Sequence, residues 1–209
     1  MPQSGLDAII ARIHALQEEL ELSFDTLIEE KQRAFNYTIR KGRVIFNRSI
    51  RELHHKYKTG LFSYLLNTRL LHFLSSPVIY SVIVPLVCLD IFITLYQHIC
   101  FRIYHIPIVR RSDYIVIDRH HLAYLNAIEK FNCIYCGYGN GLIEYTREVI
   151  ARTEQYWCPI KHARRVSMHH DRVTKFSEYG DAEHYKQKLR QLRKEFKAEV
   201  ESARRKPSK

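Results

Sequence analysis

Apolar residues recur at intervals of three and four through the first thirty positions of the chain. The residues of this stripe are Leu6, Ile9, Ile13, Leu16, Leu20, Phe24 and Leu27. Such spacing places side chains on one narrow face of a helix, and Ser4 stands where an N-cap residue belongs. The pattern predicts an N-terminal amphipathic helix, which either packs on its own domain or pairs with a second helix as a coiled coil.

The longest apolar run occupies residues 77–101, which read PVIYSVIVPLVCLDIFITLYQHICF and include one acid, Asp90. These 25 residues exceed the about 20 that a helix needs to cross the hydrocarbon of a bilayer. Pro85 predicts a kink, and Tyr96 and Arg102 suit the membrane–water interface. The run predicts a membrane-embedded helix, with the buried core helix of a soluble protein as the alternative.

Two arrangements of the membrane segment fit this pattern. In one, a single helix spans the bilayer. In the other, residues 61–74 form a shallow first arm, residues 75–77 form a break, and the longer run returns as the second arm of a hairpin. We prefer the hairpin, because it keeps the basic regions on both sides of the run in the cytosol, as the positive-inside rule requires.

Helical periodicity continues after the apolar run. It predicts three further helices, over residues 121–131, 142–157 and 182–205. The chain is therefore predicted to be mostly α-helical and to have four parts. These parts are amphipathic and basic interfacial helices in residues 1–60, a membrane-embedded segment in 61–104, a small helical domain in 105–180, and a charged helix and tail in 181–209.

Composition and charge narrow the classes of partner. The chain has 209 residues and a formal charge of +11, and its hydrophobic fraction of 46% excludes a disordered protein. Residues 31–69 contain ten Lys and Arg residues against a single acid, Glu52. Because this basic stretch adjoins the apolar run, anionic membrane lipids are the predicted partner, in preference to nucleic acid.

Cysteine and histidine spacing predicts a metal site. Cys133 and Cys136 are two residues apart and precede Gly137, as in a zinc knuckle, where glycine permits a tight turn. Cys158 and His162 form a second pair at helical spacing. Together they make a tetrahedral set for a structural Zn²⁺, or iron in its place, that would staple the small helical domain. A dithiol redox pair and unconnected thiols are the alternatives.

Three of the seven glycines, Gly137, Gly139 and Gly141, crowd into the sequence CGYGNG. Such a cluster predicts irregular backbone between two helices. We favour a turn required by the metal knuckle over an anion cradle at the start of the following helix.

Two polar clusters are candidates for catalysis. Glu144 and Glu148 are one helical turn apart, and Asp118, His120 and His121 form the second cluster. Carboxylates and paired histidines can build a catalytic metal site, but a salt-bridged helix face explains the glutamates equally well.

Residues 118–165 include the segments CIYCGYGNG and WCPIKHARR. This stretch resembles a family of uncharacterised bacterial inner-membrane proteins. The resemblance implies an inner-membrane location and no particular chemistry. The basic charge and the thiols indicate that the predicted metal domain lies on the cytosolic side.

Two functions remain open from the sequence. The first is a membrane-anchored scaffold or accessory protein with a structural zinc site, whose terminal helices bind a protein partner or a second copy of the chain. The alternative is a metal-dependent membrane enzyme acting on a lipid or quinone-like substrate.

Overall fold

The computed structural model describes residues 3–40, 43–58, 60 and 70–205. Most of these residues are helical, which confirms the predicted fold class at that level. The chain divides into two compact units. The first unit comprises Met1–Tyr64 and Asp118–Lys130, and the second comprises Leu65–Ile117 and Phe131–Lys209.

The first unit begins with the predicted amphipathic helix, α1, which spans Gln3–Ala34. Asn36 follows in the left-handed conformation, with φ of 47°, which asparagine tolerates better than most residues. Strands β1 (Tyr37–Arg40) and β2 (Arg43–Phe46) then pair as an antiparallel hairpin. Helix α2 (Arg48–Lys56) comes next in the chain.

A ladder of aromatic rings holds this unit together. Tyr37 and Phe46 face each other across the hairpin, with ring centroids 5.6 Å apart. His54 on α2 lies edge-on to Phe46 at 5.0 Å and to Tyr124 at 5.1 Å. The histidine ring therefore fixes α2 against both the hairpin and the segment Asp118–Lys130.

The second unit contains an apolar helix, Leu70–Tyr104. It consists of α3 (Leu70–Ser81), α4 (Ile83–Tyr96), a π-helical turn (Gln97–Phe101) and α5 (Arg102–Tyr104). In the part of the chain that the structure describes, this is the one helix long and apolar enough to cross a membrane.

The two prolines of the apolar helix act differently. The predicted break at residues 75–77 is wrong, because α3 continues through Pro77. The Ser76 hydroxyl donates to the Phe73 carbonyl at 2.7 Å, which is the carbonyl left without an N–H donor by Pro77. The irregularity expected at Pro85 appears at Ser81, where α3 ends. The reason is that the ring of Pro85 would clash with the Ser81 carbonyl, four residues earlier, in a continuous helix. The predicted first hairpin arm lies mostly outside the described residues, since its residues 61–69 are not among them.

Helix α6 (Ala127–Trp157) corrects the prediction of two helices separated by a glycine-rich turn. All of CGYGNG lies inside one continuous helix of 31 residues. A Cβ on Gly141 would lie 2.6 Å from the Tyr114 carbonyl oxygen and 2.8 Å from the Ile115 Cα. Glycine is required there because another stretch of backbone crosses the helix in contact with it.

Helix α6 runs parallel to the apolar helix. Successive contacts pair Tyr80 with Asn132, Asp90 with Tyr138, Gln97 with Tyr145, and Tyr104 with Tyr156. Parallel neighbours require a return segment, which here leaves the apolar helix at His105, a residue in the left-handed conformation.

The core of the second unit forms where the apolar helix, the return segment, α6 and a C-terminal helix meet. Helix α7 spans Ala182–Arg205, the residues predicted for it, and contributes Leu192 and Phe196. The buried apolar residues packed together are Ile93, Phe101, Ile106, Val109, Leu142, Tyr145, Val149 and Phe196. None of them precedes Ile93, so the described core lies at the C-terminal end of the apolar helix.

Candidate functional site

The beginning of the apolar helix is more exposed than the rest of the described second unit. Side chains on several of its faces are exposed, including Leu71 at 76%, Val78 at 70%, Val84 at 63% and Phe92 at 71%. No residue of α3 is buried. Exposed apolar surface on this scale marks contact with a membrane or a partner.

The end of the same helix lies against a charged neighbour. Helix α6 carries no charged residue in positions 131–143, but five in positions 144–154. These are Glu144, Arg147, Glu148, Arg152 and Glu154. Because the helices are parallel, this charged stretch lies beside residues 93–104 of the apolar helix.

Asp90, the single acid of the apolar run, lies at the transition between these two regions. Its carboxylate accepts hydrogen bonds from Arg111 Nη2 at 2.5 Å, Tyr138 Oη at 3.0 Å and Thr94 Oγ1 at 3.2 Å. Burial and the adjacent Asp90 carboxylate raise the pKa of Tyr138, which keeps its phenol protonated and able to donate. The negative charge is therefore matched by one cation and two hydroxyls.

Gln97 ties the return segment to both helices. Its Oε1 accepts from the Val109 N–H at 3.1 Å, and its Nε2 donates to the Val109 carbonyl at 3.2 Å and to Tyr145 Oη at 2.5 Å. Gln97 is 1% exposed. Sequence reasoning did not single out this residue, although an amide inside an apolar run is the kind of signal that would have found it.

The two glutamates predicted as catalytic candidates take part in ion pairs. Glu148 accepts from Arg152 Nε at 2.8 Å and from Arg172 Nη2 at 2.6 Å. Burial works to raise the pKa of Glu148, but hydrogen bonds from Arg172 and Arg152 outweigh it and lower the pKa below its ordinary value. Glu144 pairs with Arg147 at 3.5 Å. Glu148 is thus an ionised carboxylate joining two segments of the second unit.

The remaining catalytic candidates belong to the other unit. Asp118, His120 and His121 lie in the first unit, whereas Glu144 and Glu148 lie in the second. The rings of His120 and His121 lie with their centroids 3.9 Å apart and their planes tilted by 41°. Among the residues that the structure describes, no three His, Cys, Asp or Glu side chains form a group able to hold a metal ion.

The four predicted zinc ligands are not brought together. Cys133 and Cys136 share one turn of α6, and Cys158 follows directly after that helix ends. A helix rises about 1.5 Å per residue, so Cys136 and Trp157, 21 positions apart, are separated by roughly 32 Å. His162 lies in the segment beyond Cys158. The expected knuckle is therefore helical, and zinc binding stays a prediction for metal analysis to test.

No protein-family model, curated protein or solved structure matches this chain. The evidence for function therefore comes from the geometry of the molecule itself.

Proposed function

We propose that this protein is a membrane-anchored scaffold or accessory protein, held in the bilayer by the first part of its apolar helix. One observation carries the proposal. A single helix has no buried side chain over residues 70–92, whereas Ile93, Gln97 and Phe101 of its continuation are buried beside a charged stretch of α6. A helix of this kind joins a lipid phase to an aqueous domain.

The charged stretch of α6 limits how deep the helix can lie. Ionised groups are costly in hydrocarbon, and Glu148 with its two arginines lies beside the last turns of the apolar helix. The embedded part therefore ends within residues 89–92, where the Asp90–Arg111 ion pair would lie at the membrane–water interface. Residues 70–92 rise roughly 34 Å at 1.5 Å per residue, against about 30 Å of hydrocarbon.

The terminal helices supply the surfaces for partners. On α1, the stripe residues Leu16, Leu20, Phe24 and Leu27 are about half exposed, so nothing in the described chain covers them. A partially exposed apolar stripe with charged flanks suits a second helix, from another copy or another protein. Basic charge on the segments flanking the apolar helix favours the cytosolic side of a bacterial inner membrane.

Membrane fractionation tests the proposal. The full-length protein is expected to remain in the membrane pellet after washes with 1 M NaCl and with alkaline carbonate, at about the level of a known integral membrane protein. Release by salt alone would mean that basic residues bind the surface and that the apolar helix is not embedded, which would contradict the proposal. Tags at the two termini report the topology: opposite sides would support a single span, and the cytosol for both would support an apolar helix that does not cross the bilayer.

A further inference from the structure

The first unit contains a cleft of about 380 Å³ that is lined by basic residues. Arg51, His55 and Lys58 contribute from α2 and the residues after it, and His121 and Lys130 contribute from the segment Asp118–Lys130. Phe46 of the hairpin also lines this cleft. Three permanently charged groups and two imidazoles therefore converge on a space of the size that holds one small ligand.

The arrangement follows from helical spacing and from the aromatic ladder. Arg51 and His55 are four positions apart, which places them on one side of α2, and Lys58 lies two residues beyond the end of that helix. His54 orients α2 by packing edge-on between Phe46 and Tyr124. The side of α2 that carries Arg51 and His55 therefore faces the cleft.

The described lining of this cleft contains no carboxylate. Two acids adjacent in sequence to lining residues are engaged elsewhere, since Glu52 pairs with Arg48 at 3.2 Å and Glu129 accepts from the Asn126 N–H at 2.8 Å. Like charges gathered in one place repel each other unless an anion joins them. By contrast, the larger cleft of the second unit includes Asp113 and Glu199 in its lining.

We propose that the basic cleft of the first unit binds a phosphate group, carried either by an anionic lipid headgroup or by free phosphate. Arginine and lysine together supply forked and single N–H donors suited to phosphate oxygens. The lipid source rests on the proposed membrane function, because α2 precedes the apolar helix closely in the chain. The phosphate chemistry itself does not depend on that function.

Binding measurements on the full-length protein in a neutral detergent test the proposal. Isothermal titration would use two probes, dihexanoyl phosphatidic acid below its micelle concentration and inorganic phosphate. Arg51→Gln/Lys58→Gln removes two charges from the cleft. Arg48→Gln/Lys56→Gln removes two charges from the same helix at positions that do not line it, and is the matched control.

The cleft variant is expected to lose at least tenfold in affinity for phosphatidic acid, while the control variant stays within about twofold of the unchanged protein. Saturable binding of inorganic phosphate with the same pattern would assign the site to free phosphate, and binding of the lipid alone would assign it to a headgroup. Equal losses in both variants, or no binding by the unchanged protein, would overturn the proposal. Carbonate extraction of the cleft variant reports separately on the membrane anchor, which these substitutions leave intact.

Discussion

The two ends of the apolar helix share large apolar side chains but differ in how much of them the rest of the chain buries. In residues 70–92 none of the large apolar side chains is buried and most are exposed, whereas Ile93 and Phe101, two helical turns apart, are 9% and 0% exposed. Ile, Leu and Phe occur in both regions, although residues 93–104 also contain Gln97, His98 and Arg102. The difference teaches that the neighbouring helix decides which part of an apolar run meets lipid and which part becomes protein core.

The largest effect is expected when an arginine is introduced into each region of the apolar helix in turn. Val78→Arg/Val84→Arg is expected to lose membrane retention, because each arginine near the centre of a span costs about 2.5–3.5 kcal/mol. Ile103→Arg is the control, since Ile103 is similarly exposed, at 65%, but lies beside the charged stretch of α6. Carbonate extraction measures both. Equal loss in the two variants would mean that the whole helix is embedded.

Removing Arg111 breaks the Asp90–Arg111 ion pair at the boundary between the two regions of the apolar helix. The Arg111→Leu variant leaves the Asp90 carboxylate, 14% exposed, without its cation. We expect it to lower the free energy of unfolding in detergent by about 1.5–3 kcal/mol, the loss typical of a hydrogen bond to a charged group. Asp90→Leu/Arg111→Leu should recover most of this loss. A double variant no more stable than the single one would show that the ion pair does not couple these residues.

Glycine substitutions test the close packing of α6. Gly141→Ala is expected to cost about 1–3 kcal/mol in unfolding free energy, because its Cβ would overlap the Tyr114 backbone. Gly139→Ala is the matched control, since its Cβ would meet only Leu86 Cδ1, at 3.4 Å. That variant should be neutral or more stable by up to about 1 kcal/mol, from helix propensity. Equal destabilisation of both would indicate that CGYGNG is not helical.

The smallest expected effect distinguishes the helical cysteines from a zinc knuckle. Cys136 is exposed on α6, so Cys136→Ser is expected to leave the melting temperature and the metal content of the purified protein unchanged. Atomic emission spectrometry measures the metal content, and thermal unfolding measures the melting temperature. One zinc per chain in the unchanged protein, lost together with folded yield in the variant, would instead support the four-ligand site.

Local periodicity predicted the elements whose interactions are mainly with neighbours along the chain. Helices α1 and α7 and the apolar character of Leu70–Tyr104 followed from the spacing of apolar residues. The structure of CGYGNG did not follow, because each helical glycine costs about 1 kcal/mol relative to alanine and the sequence alone favours a turn. The crossing of Tyr114 over Gly141 lies outside any local window.

The sequence by itself determined that this protein is mostly helical, strongly basic, and equipped with one helix apolar enough for a membrane. Only the tertiary structure decided that α6 runs beside that helix, that Asp90 meets Arg111, and that Cys136 and Cys158 are held apart. The physical reason is the distance along the chain over which each signal acts. Apolar periodicity reports on residues within a few helical turns. The positions of these residues relative to one another involve parts of the chain more than twenty positions apart, and they depend on which surfaces the whole chain can bury together.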